Sequence, residues 1–296
     1  MSTVFSELHF HGNEKVYFLF IIMIISEWWQ DPLSDDIYAT LKHKEEEIPR
    51  YLAQSPQLHQ RRYLVDWAAE ICDQFSLCYT TRHLAIHLLD FFMDNFFIDL
   101  DRIFLVVLGC ILVASKYEEK EVDIPRWPQL NNYIHNSTFT GLEFVQMEIT
   151  LLTFFKWQVG IPTAAHFTDY FLMISLKAIM VHCESPNWVN QIQYFMAKYI
   201  DYFLEISLQD QTYRKYRPSL VAAASITASR ICLNIPPSWP KEMEQASGYL
   251  WEEIEDPVCR MLESQKVDRN KDETQKSTPP PTKMPLKAPD SGYRST

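Results

Sequence analysis

Apolar residues recur every three or four positions through most of this chain, and prolines cut the pattern into segments. The first helix is expected from about Leu58, where Leu58, Leu64, Val65, Ala68, Ile71, Cys72 and Phe75 share one face, with Ser55-Pro56 as its entry. A second runs from about Thr80 to Asn95, capped by Thr80 or Thr81. A third, Asp101 to about Lys116, is apolar on every side, which suits a helix surrounded by others. Further helices follow at Trp127–Tyr133 and Gly141–Phe155. Pro162-Thr163 opens a second set: a helix to Leu176, then Asn187–Asp201 or two pieces reaching Leu208. The Ala-rich stretch Leu220–Leu233 reads as a second central helix, and Lys241–Leu262 as the last, with Pro257 a kink point. The pattern predicts an all-α protein of two helical units, each around one central helix and each about a hundred residues long. The expected divisions are an extension and N-terminal helix over 1–54, a first unit over 55–160, a second over 161–263, and a Pro-rich, unstructured tail over 264–296.

Composition narrows the function. Only 6 of 296 residues are Gly, which disfavours hairpin-rich sheets and glycine-rich phosphate loops. Residues 55–160 carry 8 Lys and Arg against 13 Asp and Glu, and residues 161–262 carry 8 against 11. Acidic bodies repel phosphate backbones and suit a basic protein partner, so no nucleic-acid binding is expected. The six cysteines sit singly in the chain with no Cys-x-x-Cys pair, as reduced core thiols do. Val16–Ile25 is a run of ten apolar residues. At about 15 Å of helix it is too short to span a bilayer, so no membrane span is expected. It reads as a dispensable or buried extension, as a signal-like segment, or as sequence ahead of a natural start at Met23.

No catalytic constellation, cofactor loop or metal set emerges. His83 and His87 lie four apart on one helix without a third ligand, and read as satisfied or half-exposed helix histidines. What stands out is a few charges among apolar helices: Arg61, Asp90, Lys116 and Glu148. A buried charge costs several kcal/mol unless it is paired, so these charges read as one or two structural salt bridges, or as one structural pair plus an exposed Lys/Glu pair for docking.

These residues carry a resemblance. Leu112-Val-Ala-Ser-Lys-Tyr-Glu-Glu119 is similar to the cyclin-box signature. Leu64-Val-Asp-Trp67, His83-Leu84-Ala85, Leu89-Asp90, Met147-Glu148, Pro162-Thr163 and Tyr216–Ala224 match other box segments in order. All five positions that define the box agree: Arg61, Asp90, Leu105, Lys116 and Glu148. Within the family the chain resembles the J-type group, through Trp28-Trp29, Ser55–Leu58, Pro162–Phe167 and Met196–Asp210.

The resemblance implies two tandem five-helix cyclin boxes, each around a central helix, and a regulatory subunit, not an enzyme, that activates a cyclin-dependent Ser/Thr kinase in cell-cycle control, in the nucleus and cytoplasm. It implies that Lys116, Glu148, Tyr117 and Glu119 face the kinase, that Arg61 and Asp90 form a structural pair, and that Leu105 is core. No cofactor is implied. Cyclin-dependent kinase two, the partner of A- and E-type cyclins, is the expected partner. The substrate-docking patch of cell-cycle cyclins is altered here: Leu64, Trp67 and Glu70 persist, but Gln60 and Tyr63 replace a Met and an Ile. Substrates or inhibitors are the partners expected there. The Arg that follows the box Asp in this family is Phe91 here. The alternative reading is a scaffold or a nucleic-acid-binding factor built on the same fold. Arg61–Leu64 matches an Arg-x-x-Leu destruction box, and Ser277-Thr278-Pro279 a Pro-directed phosphorylation site.

Overall fold

A computed structural model describes residues 33–134, 138–180 and 186–277. Those residues are helical with no strand. Helix α1 (Ser34–Glu46) precedes a first bundle of α2 (Arg61–Gln74), α3 (Tyr79–Asn95), α4 (Ile103–Glu118), α5 (Trp127–Asn131) and α6 (Gly141–Phe154). A second bundle holds α7 (Ala164–Met180), α8 (Pro186–Gln209), α9 (Pro218–Cys232), α10 (Lys241–Ser247) and α11 (Trp251–Ser277).

Helix α4 is the axis of the first bundle, packed by α2, α3, α5 and α6. Its residues from Ile103 to Ser115 are buried except Phe104, which is partly so, and Leu105 is among the buried ones. Helix α9 is the axis of the second bundle, surrounded by α7, α8, α10 and α11. Its alanines let the neighbours approach closely. Its hydroxyls do not oppose burial, because Ser225, Thr227 and Ser229 donate to the carbonyls of Ala222, Ala223 and Ser225.

Several boundaries differ from the sequence expectation, each for a physical reason. The first helix begins at Arg61, and Leu58–Gln60 forms a 3-10 turn before it. Helix α3 starts at Tyr79, and Thr81 is buried inside its first turn instead of capping it. Helix α8 is one piece of 24 residues. The last expected helix is two, because Gly248 adopts a left-handed φ of 73° and ends α10. The chain then restarts as α11, where the Leu250 N–H donates to the Glu253 carboxylate. Helix α11 continues through residues 264–277, which composition assigns to an unstructured tail. Tyr202 on α8 donates to Asp268 at 2.9 Å and holds that extension against the bundle. Its Glu, Gln, Lys and Arg residues are good helix formers, so polarity there does not mean disorder. The Val16–Ile25 run and Thr278-Pro279 lie outside the described residues.

Candidate functional site

The charged residues singled out in the sequence separate into two places. Arg61 and Asp90 are buried between α2 and α3, at 3% and 1% exposure. The guanidinium donates twice to the carboxylate, at 2.6 and 2.8 Å. Two further Arg61 bonds reach Leu208 O at 2.8 Å and Gln209 O at 3.1 Å, carbonyls at the C-terminal end of α8 in the other bundle. That end carries partial negative charge, which suits a cation. Asp90 has a second cationic partner, Arg214, whose Nη2 lies 2.6 Å from its Oδ2. Arg214 belongs to the 3-10 turn Gln211–Lys215 of the second bundle. The Asp90 carboxyl is pushed up by burial but held below its ordinary range by Arg214 and Arg61, which outweigh it. Sequence reasoning read this pair as internal to one unit. The structure makes it a triad that joins two.

Other links run beside it. Arg82 on α3 pairs with Glu205 on α8 at 3.1 Å and with Asp73 on α2. Glu118, at the end of α4, accepts from His166 Nε2 at 3.0 Å. The Thr163 N–H donates to His166 Nδ1, which fixes that tautomer. Val65, Ile86 and Leu208 form a small apolar cluster across the junction.

Lys116 and Glu148 are the second place. They meet on the surface of the first bundle, where Lys116 Nζ donates to both Glu148 oxygens at 2.6 and 2.8 Å. Helix α4 supplies the lysine and α6 the glutamate. The crossing of these helices is close at Gly109, where an added Cβ would meet Met147 and Leu151. Thr140 and Glu143 form a capping box that starts α6. Leu142, Val145 and Ile149 stand on the same helix at 66%, 49% and 52% exposure. Three apolar side chains at helical spacing around a charged pair are thus left in water.

Residues 36–160 match the N-terminal domain of cyclins, and residues 162–282 the C-terminal domain. The chain belongs to the cyclin family. It is 42% identical over 240 residues to cyclin-J of Xenopus laevis, covering 79% of this chain and 62% of that protein. Against cyclin-J of Homo sapiens it is 39% identical over 241 residues, covering 80% and 62%. The chain therefore spans about three fifths of the length of these curated relatives. A viral cyclin from herpesvirus saimiri shares the fold, with a TM-score of 0.57 and 20% identity over 75% of this chain and 96% of that one.

The remaining residues of this cyclin that the resemblance singles out fall in varied surroundings. Glu119 turns inward: its Oε1 accepts from the Cys78 N–H at 2.7 Å and from Thr81 Oγ at 2.6 Å, so it caps α3. Tyr117 is half-exposed, with its hydroxyl against Gly160, where an added Cβ would collide with it. In the altered patch, Tyr63 and Glu70 are exposed and Gln60 is half-buried. Trp67 packs edge-on to Phe104 at 5.0 Å, and Tyr63 meets the same ring at 6.5 Å. Leu64 is 1% exposed and belongs to the core, not to a docking surface. Arg61 and Leu64 of the destruction-box match are both buried.

His83 and His87 are neither half-exposed nor satisfied. Both are buried, and the Nε2 of each has no hydrogen-bond partner among the described residues. Sequence reasoning missed Arg214, which supplies the second cation against Asp90 where position 91 offers only Phe91. It also missed Glu45 on α1, whose buried carboxylate accepts from the Ser219 N–H at 2.6 Å and Ser219 Oγ at 2.8 Å at the start of α9. No cluster of His, Cys, Asp or Glu fit to hold a metal stands among the described residues, and no helix there is long and apolar enough to cross a membrane.

Proposed function

We propose that this cyclin is the regulatory subunit of a cyclin-dependent Ser/Thr kinase and activates it in cell-cycle control. The carrying observation is the Lys116–Glu148 pair set among exposed Leu142, Val145 and Ile149. Across an interface the two charges turn from each other toward backbone groups ahead of the kinase's mobile C-helix and hold that helix inward. A kinase Glu then stands against the phosphate-binding Lys, which completes the ATP site. Each charge-assisted bond is worth about 1.5–3 kcal/mol, so two shift a two-state kinase by tens- to hundreds-fold or more. The apolar residues supply the buried area, and Tyr117 extends the same face from α4. Glu119 acts from behind, by fixing the end of α4 on α3. Cyclin-dependent kinase two is the candidate partner, and the nucleus and cytoplasm are the compartments in which such a pair works. The aromatic surface of Tyr63, Trp67 and Phe104 is a second contact, for substrates or inhibitors.

The test is a pull-down of the chain against a panel of cyclin-dependent kinases, followed by a kinase assay on each complex. Binding with activity, both lost in the Lys116→Ala/Glu148→Ala variant, is the expected result and names the kinase. Binding without activity turns the reading into a scaffold. Binding to none of them ends it.

A further inference from the structure

A chamber of about 70 Å³ lies between the two boxes, beside the Arg61–Asp90–Arg214 triad. His83, His87 and Phe91 of α3 line it from one side, and Ser207, Tyr213 and Arg214 of the second box from the other. Several of its buried polar atoms have no partner among the described residues. Arg214 Nη1 faces His87 Nδ1 at 3.2 Å, and a guanidinium can only donate. His87 therefore carries its proton on Nε2, which has no partner. His83 Nε2, the Tyr213 hydroxyl and Arg214 Nε have none either, among the described residues.

The charge count agrees with the donor count. Two guanidiniums share the single carboxylate of Asp90. Arg61 uses its remaining donors on the α8 carbonyls. Arg214 has no such second acceptor beyond the neutral His87 ring. The neighbouring carboxylates are committed: Asp210 accepts from the Thr212 N–H, and Asp256 is held by Lys215, Tyr216 and Arg260. A buried cation with half a counter-charge, next to a pocket of idle donors, is the chemistry of an anion site.

We infer that this chamber binds a small oxyanion of the phosphate or sulfate class, clasped between the two boxes. One water-sized atom needs roughly 10–15 Å³ of such space, so the chamber has room for the five heavy atoms of a tetrahedral oxyanion. The Tyr213 hydroxyl, His87 Nε2 and Arg214 Nε donate to its oxygens, and Arg214 supplies the charge. The ligand contacts both boxes, so it stiffens their junction. This site is separate from the Lys116–Glu148 face and stands whether or not the kinase reading does.

Isothermal titration calorimetry of the full chain tests it, with inorganic phosphate and sulfate against chloride at equal ionic strength and neutral pH. Saturable binding at one site per chain is expected, with a matching rise in Tm. Tyr213→Phe removes one oxygen and should weaken binding by about tenfold. His87→Leu should do the same, while Arg102→Ala, a substitution at an exposed cation elsewhere, should change nothing. A parallel titration with a blocked phosphoserine peptide separates the two sources: equal or tighter binding assigns a phosphorylated side chain, weaker binding a free anion. Absence of saturable binding in the wild type overturns the inference. So does an affinity that Tyr213→Phe and His87→Leu both leave unchanged.

Discussion

Asp90 takes one guanidinium from each box, so its loss is felt on both sides of the junction. Asp90→Ala leaves two buried cations without a carboxylate and is expected to cost about 3–5 kcal/mol, read from urea denaturation. A second residue-scale outcome concerns pH. Burial first, and Arg214 second, hold the His87 pKa down at about 3, and His83 is lowered by the same two causes. In the unfolded chain each takes its proton near 6.5. The folded pKa is the depressed one, so this stability is present above about pH 6.5 and lost as pH falls toward 3. The loss is up to about 1.4 kcal/mol per pH unit for each histidine. Charges facing His87 pull both ways, Arg214 and His166 against protonation and Asp90 for it. Unfolding measured at pH 7 and pH 5 should differ less in His87→Leu than in the wild type. An unchanged difference would remove His87 from the acid response. Arg61 and Asp90 were legible in the sequence because they interrupt apolar helices. Arg214 was not, because it sits in a polar stretch where one more cation carries no signal.

At the scale of elements, α1 is fastened to the second box by its own last turn. Glu45 caps α9 through Ser219, and Lys42 donates to Glu45, Ser219 and Tyr249. Tyr38 stacks on Tyr170 with ring centroids 4.3 Å apart. Glu45→Ala should lower stability by about 1–2 kcal/mol and speed amide exchange through α1. Exchange confined to α9, with α1 unaffected, would refute the fastening. In the first box, Gly109 sets how closely α6 lies on α4. Gly109→Ala places its Cβ 2.8 Å from Met147 Cγ and 3.1 Å from Leu151 Cδ1, so these side chains must shift and a modest loss of stability is expected. Gly109→Leu should push α6 outward, separate Glu148 from Lys116 and weaken kinase binding more than it weakens folding. Equal losses in both would count against a positioning role. The period of apolar residues was enough to place nine helical segments, since each must bury one face. It could not place Gly248 as the break between α10 and α11, because a lone Gly inside a helical pattern reads as tolerable.

The whole molecule is two bundles that share few apolar residues at their junction. Val65, Ile86 and Leu208 are a buried cluster there, and three ion pairs cross the junction beside it. Ion pairs of this kind specify an arrangement more than they add stability. Heat or urea should therefore unfold the wild type in one transition seen alike by fluorescence and circular dichroism. Asp90→Ala should split it into two. A single transition in that variant would mean that the apolar cluster and the remaining pairs suffice.

The sequence by itself determined the two all-helical units, their central helices and the family, because helical period and a spaced set of charges are properties of the chain read in order. It also marked Lys116 and Glu148 as charges that need either a partner or a surface. Only the tertiary structure decided which they have. It left that pair in water, turned Glu119 and Leu64 inward, and brought Arg214 to Asp90 across more than a hundred residues. It also buried two histidines, each with an Nε2 that has no partner among the described residues, beside a pocket between the boxes. Those outcomes depend on which faces meet, and a contact between residues far apart in sequence leaves no periodic trace in either segment.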